Sequence, residues 1–249
     1  MRRLERLVTT RGYEMDASGV IPLSVLASYM EHTRWQSMQG SEFPLAHYWQ
    51  RGVIRAQHLE VLEPVRFDVE LSVDCSVGRI GRTSLDLCHR LRRVDDGKLV
   101  VHATVTAVNL DEAGRPTPLD PAATELLGEA PPLPGVALEL PAPPSAWTRE
   151  ITVCPSDQDV LQHVNHARYI EFVEDTRALA ARAGAYGSAG EAAQRLPRRI
   201  AISYERQAAF GDTLAAATWP LEGESPAFGF ELRRLSRERE LVVRARVEV

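Results

Sequence analysis

The sequence has few cysteines and almost no lysine. Its three cysteines, Cys75, Cys88 and Cys154, leave one unpaired in any disulfide scheme and show no CxxC spacing. Small buried thiols in a reducing cytoplasm are therefore expected. Lys98 is the only lysine among 29 basic residues, and the formal net charge of −5 gives no electrostatic reason to expect a nucleic-acid partner.

Several other features are missing. No apolar run approaches the roughly 18 residues that span a bilayer, and residues 1–7 are too charged for the apolar centre of a secretory signal. The sequence also has no glycine-rich phosphate loop, metal-ligand cluster or serine nucleophile elbow. We therefore expect a cytoplasmic protein that has no membrane contact and requires neither a metal nor a cofactor.

One short pattern occurs twice, 143 residues apart, without a gap. Four positions are identical in the two copies: Asp16 and Asp159, Glu31 and Glu174, Thr33 and Thr176, Arg34 and Arg177. Two positions differ in chemistry, because Val20 stands where the second copy has His163, and Pro22 stands where it has Asn165. The repeat predicts two similar domains, of which only the second keeps polar residues at these positions.

Proline marks the boundary between the two copies. Nine of the sixteen prolines lie between residues 116 and 144, a composition typical of an extended, semi-rigid connector. We predict an N-terminal unit over 1–120, a linker over 121–146 that joins neither sheet, and a C-terminal unit over 147–249.

The coarse secondary structure is the same in both halves. A short strand leads into the repeated pattern, and helices are predicted over 22–38 and 165–184. Period-two alternation predicts strands over 54–62, 67–77, 84–94 and 99–110, and over 199–205, 213–219, 228–235 and 241–249. Each half is thus an α+β unit with an antiparallel sheet around one helix. We expect the halves to pair edge to edge into one sheet of about ten strands or more.

The second copy resembles a known signature. Ser156-Asp157-Gln158-Asp159, then His163-Val164-Asn165, Tyr169 and Glu174, are similar to the S-D-x-D-x-x-x-H-V-N-N-x-x-Y pattern of hotdog-fold thioesterases. The tandem arrangement resembles the acyl-acyl-carrier-protein (acyl-ACP) thioesterase family of plants and bacteria. This resemblance implies two tandem hotdog units forming a double hotdog. It also implies hydrolysis of an acyl thioester, with a fatty acyl carrier protein favoured over a coenzyme A thioester as the substrate. Whether the protein forms a homodimer is left open.

Carried over position by position, the resemblance gives Asp159 the role of catalytic carboxylate and His163 that of catalytic histidine. The sequence departs from the plant enzymes elsewhere. Leu161 stands in place of a catalytic asparagine, and His166 in place of the second asparagine of the motif. Gln207 and Ala208 occupy the places of a glutamate and a cysteine.

The chemistry of thioester hydrolysis also fits these residues. It needs a group that attacks or activates water, and donors for the developing oxyanion. Asp159 precedes the second helix, whose first turn offers backbone N–H groups at His166 and Ala167. Asn165 completes the set of candidate catalytic residues as a helix N-cap that would act by holding the oxyanion donors in place. Asp159 could instead bond only its own loop, and His163 could merely orient that loop.

The first copy is expected to have lost chemistry and kept packing. Val20, Ile21 and Leu26 are predicted to line an apolar cleft for the acyl chain, whereas Gln207 either holds a water or is solvated. Two alternatives are an acyl-CoA thioesterase and a non-catalytic acyl-binding hotdog. A hydratase or dehydratase fits less well, because His163 and Asp159 share one short loop instead of converging on the acyl carbons.

Overall fold

The computed structural model describes residues 4–39, 52–121, 128, 131–138, 141–236 and 239–249. The chain divides into two compact units, Met1–Gly135 and Val136–Val249. The division falls inside the proline-rich segment, as the repeat predicts.

The N-terminal unit is an antiparallel sheet with one long helix. Its elements are β1 (Leu4–Thr9), α1 (Leu23–Gln39), β2 (Gly52–Val61), β3 (Glu70–Ile80), β4 (Ser84–Arg93) and β5 (Leu99–Asn109). The strand order in this unit is β1-β3-β4-β5-β2. Helix α1 packs against β1 and β3 and buries Leu26, Ala27 and Met30.

The C-terminal unit repeats this plan. Its elements are β6 (Trp147–Thr152), α2 (His166–Arg182), a one-turn helix α3 (Gly190–Ala193), β7 (Arg199–Tyr204), β8 (Thr213–Leu221), β9 (Ala227–Arg234) and β10 (Glu240–Glu248). The strand order in this unit is β7-β10-β9-β8-β6. Helix α2 buries Tyr169, Ile170, Phe172 and Val173, the wide apolar arc of a largely wrapped helix. The α+β class with two tandem hotdog units is confirmed.

The repeat holds at the level of single hydrogen bonds. Strands β1 and β6, and helices α1 and α2, have the same bounds when shifted by the 143-residue spacing. The Ile21 N–H donates to the Val65 carbonyl at 2.8 Å, and the equivalent Val164 N–H donates to the Ala208 carbonyl at 2.8 Å. The two copies therefore align without a gap from β1 to the segment just after the strand that follows the long helix.

Part of the predicted linker belongs to the first unit, which extends to Gly135. The Leu133 N–H donates to Thr104 Oγ1 at 2.8 Å, and His58 Nδ1 lies 3.0 Å from the Pro134 carbonyl oxygen. The compact unit thus extends beyond residue 120, where we predicted the end of the N-terminal unit, and the predicted domain bounds stay a prediction. The physical reason for this extension is that backbone groups of this segment, the Leu133 N–H and the Pro134 carbonyl, find partners on β5 and β2. In its described part the linker forms no strand of its own.

The cysteines differ from the expectation at one position. Cys75 and Cys88 are buried as expected, whereas Cys154 is exposed. Burial raises the pKa of the Cys75 thiol to about 12 and that of Cys88 to about 11, so neither forms the reactive thiolate near neutral pH.

Thiol labelling tests this difference. At pH 8 the native protein is expected to take up one equivalent of iodoacetamide, at Cys154, because only that side chain is both exposed and outside the core. All three thiols should react after unfolding in guanidinium. Peptide mass spectrometry identifies the labelled residues, and rapid labelling of Cys75 or Cys88 in the native protein would contradict the buried positions.

None of the helices in the described ranges has the length and apolar character needed to cross a membrane.

Candidate active site

A tight turn immediately before α2 carries the two predicted catalytic side chains. The Asp159 N–H donates to the His163 carbonyl at 2.9 Å, and the Gln162 N–H donates to the Asp159 carbonyl at 3.0 Å. Gln158 and Val164 form the next bridge outward. This is the three-residue hairpin loop that needs a left-handed residue at its last position. Asp159 and His163 are therefore the two residues that close the turn.

The first copy forms the same turn. The Asp16 N–H donates to the Val20 carbonyl at 2.9 Å, and the Gly19 N–H donates to the Asp16 carbonyl at 3.0 Å. Gly19 has a φ of 75°, and the equivalent Gln162 has a φ of 62°. A side chain in this region costs about 1 kcal/mol or more. The second copy thus keeps a strained residue where the first has the residue that fits the turn without strain.

The two aspartates make different bonds within their turns. Asp16 is exposed, and its Oδ1 accepts from the Ser18 N–H at 2.8 Å, the Ser18 hydroxyl at 2.6 Å and the Val20 N–H at 3.2 Å. Asp159 is half-buried, and its Oδ1 accepts from the Leu161 N–H at 2.8 Å. Asp16 holds its loop with its carboxylate, whereas Asp159 keeps more acceptor capacity for another group.

A second carboxylate, which sequence reasoning missed as a site residue, fixes the base of this turn. Asp157 is buried, and its Oδ2 accepts from the Cys154 N–H at 2.7 Å. Its Oδ1 accepts from Arg168 Nη2 at 2.7 Å, and its carbonyl accepts from the Asn165 N–H at 2.8 Å. The repeat contained the signal, because the equivalent Glu14 accepts from a backbone N–H three residues earlier in the same way.

The start of α2 is capped as predicted. Asn165 is the N-cap, and its Oδ1 accepts from the Ala167 N–H at 2.8 Å. The Ala167 N–H is therefore already paired with the cap in this structure, and its role as an oxyanion donor stays a prediction. The carbonyl of His166 accepts from the Tyr204 hydroxyl at 3.1 Å. The role of the His166 N–H stays a prediction.

Ala208 ties α2 to the segment after β7. Its N–H donates to the Tyr169 hydroxyl at 3.1 Å, while its carbonyl accepts from the Val164 N–H. Burial raises the pKa of Tyr169, so this hydroxyl stays neutral. The adjacent Gln207 has an exposed side chain, and its carbonyl accepts from Arg234. Its predicted water-holding role stays a prediction.

The predicted acyl-chain residues lie in the N-terminal unit. Val20, Ile21 and Leu26 are all buried, at the entrance to α1 and in its first turn. Their burial agrees with an apolar lining, and their contact with an acyl chain stays a prediction.

Within the described ranges, no cluster of three or more histidine, cysteine, aspartate or glutamate side chains is placed to hold a metal. The chemistry available at the turn is that of a carboxylate, an imidazole and backbone donors.

Two family models match the chain. A model described as the thioesterase-like superfamily matches residues 10–139. A model described as the acyl-ACP thioesterase C-terminal domain matches residues 143–245. Together these matches cover both compact units, and they meet inside the proline-rich segment.

Several solved structures share the fold over nearly the whole chain. An acyl-ACP thioesterase from Bacteroides thetaiotaomicron is 19% identical with a TM-score of 0.80, and the match covers 99% of this chain and 97% of that one. A 12:0-ACP thioesterase from Umbellularia californica is 18% identical with a TM-score of 0.81, covering 99% and 93%. A putative oleoyl thioesterase from Lactobacillus plantarum is 16% identical with a TM-score of 0.79, covering 99% and 94%. At these identities the likeness shows the fold. No curated protein matches the sequence.

Proposed function

We propose, from the premise that this chain belongs to the acyl-ACP thioesterase family within the thioesterase-like superfamily, that it hydrolyses a fatty acyl-ACP at the Asp159 turn. Thioester hydrolysis itself follows from family membership. The products are the free fatty acid and the carrier thiol, which places the reaction in fatty acid biosynthesis. The site assignment is the step that goes beyond the family.

The observation that carries this assignment is the difference between two otherwise identical turns. Both copies close the turn with the same two backbone hydrogen bonds, so the backbone does not require His163 or a lightly bonded aspartate. The N-terminal copy has Val20 at the closing position, and its aspartate makes three bonds within the loop. Only the C-terminal copy presents a carboxylate and an imidazole together.

In the proposed reaction, Asp159 supplies the negative charge and His163 moves or stabilises a proton. In one route the carboxylate removes a proton from water, whose oxygen attacks the thioester carbonyl, and the carbon–sulfur bond then breaks to release the thiolate and the free acid. In the other route the carboxylate attacks the carbonyl itself and the thiolate leaves, and water then hydrolyses the mixed anhydride to release the acid and restore Asp159. In both routes the thiolate takes up the proton that the water loses. The positive end of the α2 dipole next to the turn favours the oxyanion that forms in between.

The departures from the plant enzymes are compatible with this simpler arrangement. Leu161 replaces a side chain of their network, yet its backbone N–H orients Asp159 at 2.8 Å. Ala208 replaces a cysteine, yet both of its backbone polar groups connect the turn to α2. The positioning is done by backbone groups, which do not depend on the identity of the side chain.

His163→Val transplants the residue of the first copy into the second. We expect kcat to fall by about 10²-fold, at the lower end of what a positioned acid or base contributes, while the turn survives because the N-terminal copy folds with Val20. Steady-state kinetics on one acyl-ACP, with the thermal unfolding midpoint, measure the two effects. A thermal midpoint close to that of the wild type together with an unchanged kcat would exclude His163 from the mechanism.

Thiol release from a panel of acyl-ACP and acyl-CoA thioesters tests the proposed function and its alternatives. Higher kcat/KM on the carrier-protein series supports the acyl-ACP assignment, and higher kcat/KM on coenzyme A thioesters would favour the acyl-CoA alternative. Acyl-ACP binding without thiol release would instead identify a non-catalytic acyl-binding hotdog.

A further inference from the structure

The N-terminal unit contains a buried amide side chain with no hydrogen-bond partner among the described residues. Gln57 lies on β2 and is 0% exposed. Neither its Nε2 nor its Oε1 has a hydrogen-bond partner within the described part of the chain. Buried polar groups are nearly always paired, and an unpaired amide lowers stability. Gln57 therefore lowers the stability of the fold, and a role other than packing would explain its presence.

Gln57 lies on the face of the sheet that carries α1. It pairs with Val105, which pairs with Leu87 on β4, and directly opposite residues share a face. His89 lies two residues beyond Leu87 and is therefore on the same face. Its Nε2 is 3.1 Å from Nη1 of Arg34, which is on α1. The amide thus belongs to the apolar inner side of this unit, which includes the core residues Val77 and Val105.

The repeat shows that this place in the fold does not need a polar residue. The equivalent position, 143 residues later, is Ile200 on β7, which is also 0% exposed. Ile200 pairs with Val247 as Gln57 pairs with Val105. The same strand position, facing a valine in both copies, is filled by isoleucine in the half that carries the Asp159 turn and by glutamine in the half that lacks it.

We propose that Gln57 is a specificity-determining residue that recognises an oxygen function on the acyl chain, a hydroxyl group above all. An amide offers one donor group and one acceptor, and a hydroxyl group is the small substituent that can use both. This inference rests on the proposed function and on the prediction that Val20, Ile21 and Leu26, at the start of α1, line the path of the acyl chain, since α1 packs on the face of the sheet that carries Gln57. The substrate class is then a hydroxylated fatty acyl thioester.

Matched substrates test the proposal. They are a saturated acyl-ACP and its isomers of the same length, each with one hydroxyl group at a different carbon. For one isomer, the ratio of kcat/KM for hydroxylated over plain substrate should be about 10- to 100-fold higher in the wild type than in Gln57→Ile. Gln57→Met, which keeps the length of the side chain, should behave like Gln57→Ile and remains usable if the branched residue misfolds.

Two further measurements separate this role from a structural one. Gln57→Ile should raise the thermal midpoint by about 2–6 °C, since an unpaired amide leaves the core. The free hydroxy acid should raise the midpoint of the wild type more than that of the variant. Equal substrate ratios at every hydroxyl position, with equal shifts by the hydroxy acid, would overturn the proposal. If the wild type hydrolysed no thioester, the proposed function would fail, while the hydroxy-acid shifts would still decide the role of Gln57.

Discussion

Asp159→Asn is expected to lower kcat by about 10²–10⁴-fold, the usual contribution of a positioned base or nucleophile. The change removes the charge and keeps the size of the side chain. The fold should survive, because an asparagine Oδ1 still accepts the Leu161 N–H that orients Asp159 at 2.8 Å. Single-turnover hydrolysis of an acyl-ACP measures the chemical step, and thermal unfolding confirms an intact fold.

Asp16→Asn is the matched control for this experiment. The two aspartates occupy the same place in the same turn, and the Oδ1 of Asp16 accepts three bonds within its own loop. We expect a kcat close to that of the wild type. Equal losses at Asp16 and Asp159 would mean two working sites, and an unchanged kcat in Asp159→Asn would exclude this carboxylate from the mechanism.

Asp157→Ala is expected to lower the free energy of unfolding by about 2–3 kcal/mol. The Cys154 N–H loses its acceptor and Arg168 loses a buried partner. The expected loss of stability is moderate because Arg168 is 35% exposed and retains its ion pair with Glu171. Hydrolysis should fall as well, because this carboxylate holds the segment from which the Asp159 turn departs. Urea unfolding at equilibrium gives the first effect and kcat the second.

Two variants refine the test of Asp157. Asp157→Glu copies the acidic residue of the first unit, where Glu14 Oε2 accepts the Arg11 N–H at 2.8 Å, and should recover much of the stability. Glu14→Ala should destabilise its own unit and leave kcat nearly unchanged. A fully stable Asp157→Ala protein would show that the buried carboxylate contributes nothing to the fold.

Hydrophobic periodicity in the sequence predicted the ends of most helices and strands to within one to two residues of their observed positions. The helix predicted over 165–184 is His166–Arg182, and the strand predicted over 84–94 is Ser84–Arg93. The strand predicted over 67–77 begins at Glu70 instead. Asp68 has a φ of 58°, and Phe67 is exposed, so a turn occupies the start of an alternating run. A left-handed residue interrupts a strand without changing the period-two pattern.

The candidate site was predictable in part. The motif predicted the Asn165 cap, which the structure shows, because a cap depends on neighbours close in sequence. The catalytic roles of Asp159 and His163 stay predictions. The motif did not reveal that the cap engages the Ala167 N–H, or that Asp157 is the buried partner of Arg168. The edge-to-edge pairing of the two halves stays a prediction.

The sequence by itself determined that the protein is a tandem repeat of two α+β units, and that the two copies differ in chemistry at positions 20 and 163. Tertiary structure decided which polar groups are buried, paired or left without a partner. In the sequence Gln57 is an ordinary residue of an alternating strand. Its 0% exposure and the lack of a hydrogen-bond partner in the described part of the chain become visible only in the fold. The physical reason is that burial and hydrogen bonding depend on residues distant in the chain, whereas repeats, turns and caps are set by residues near one another.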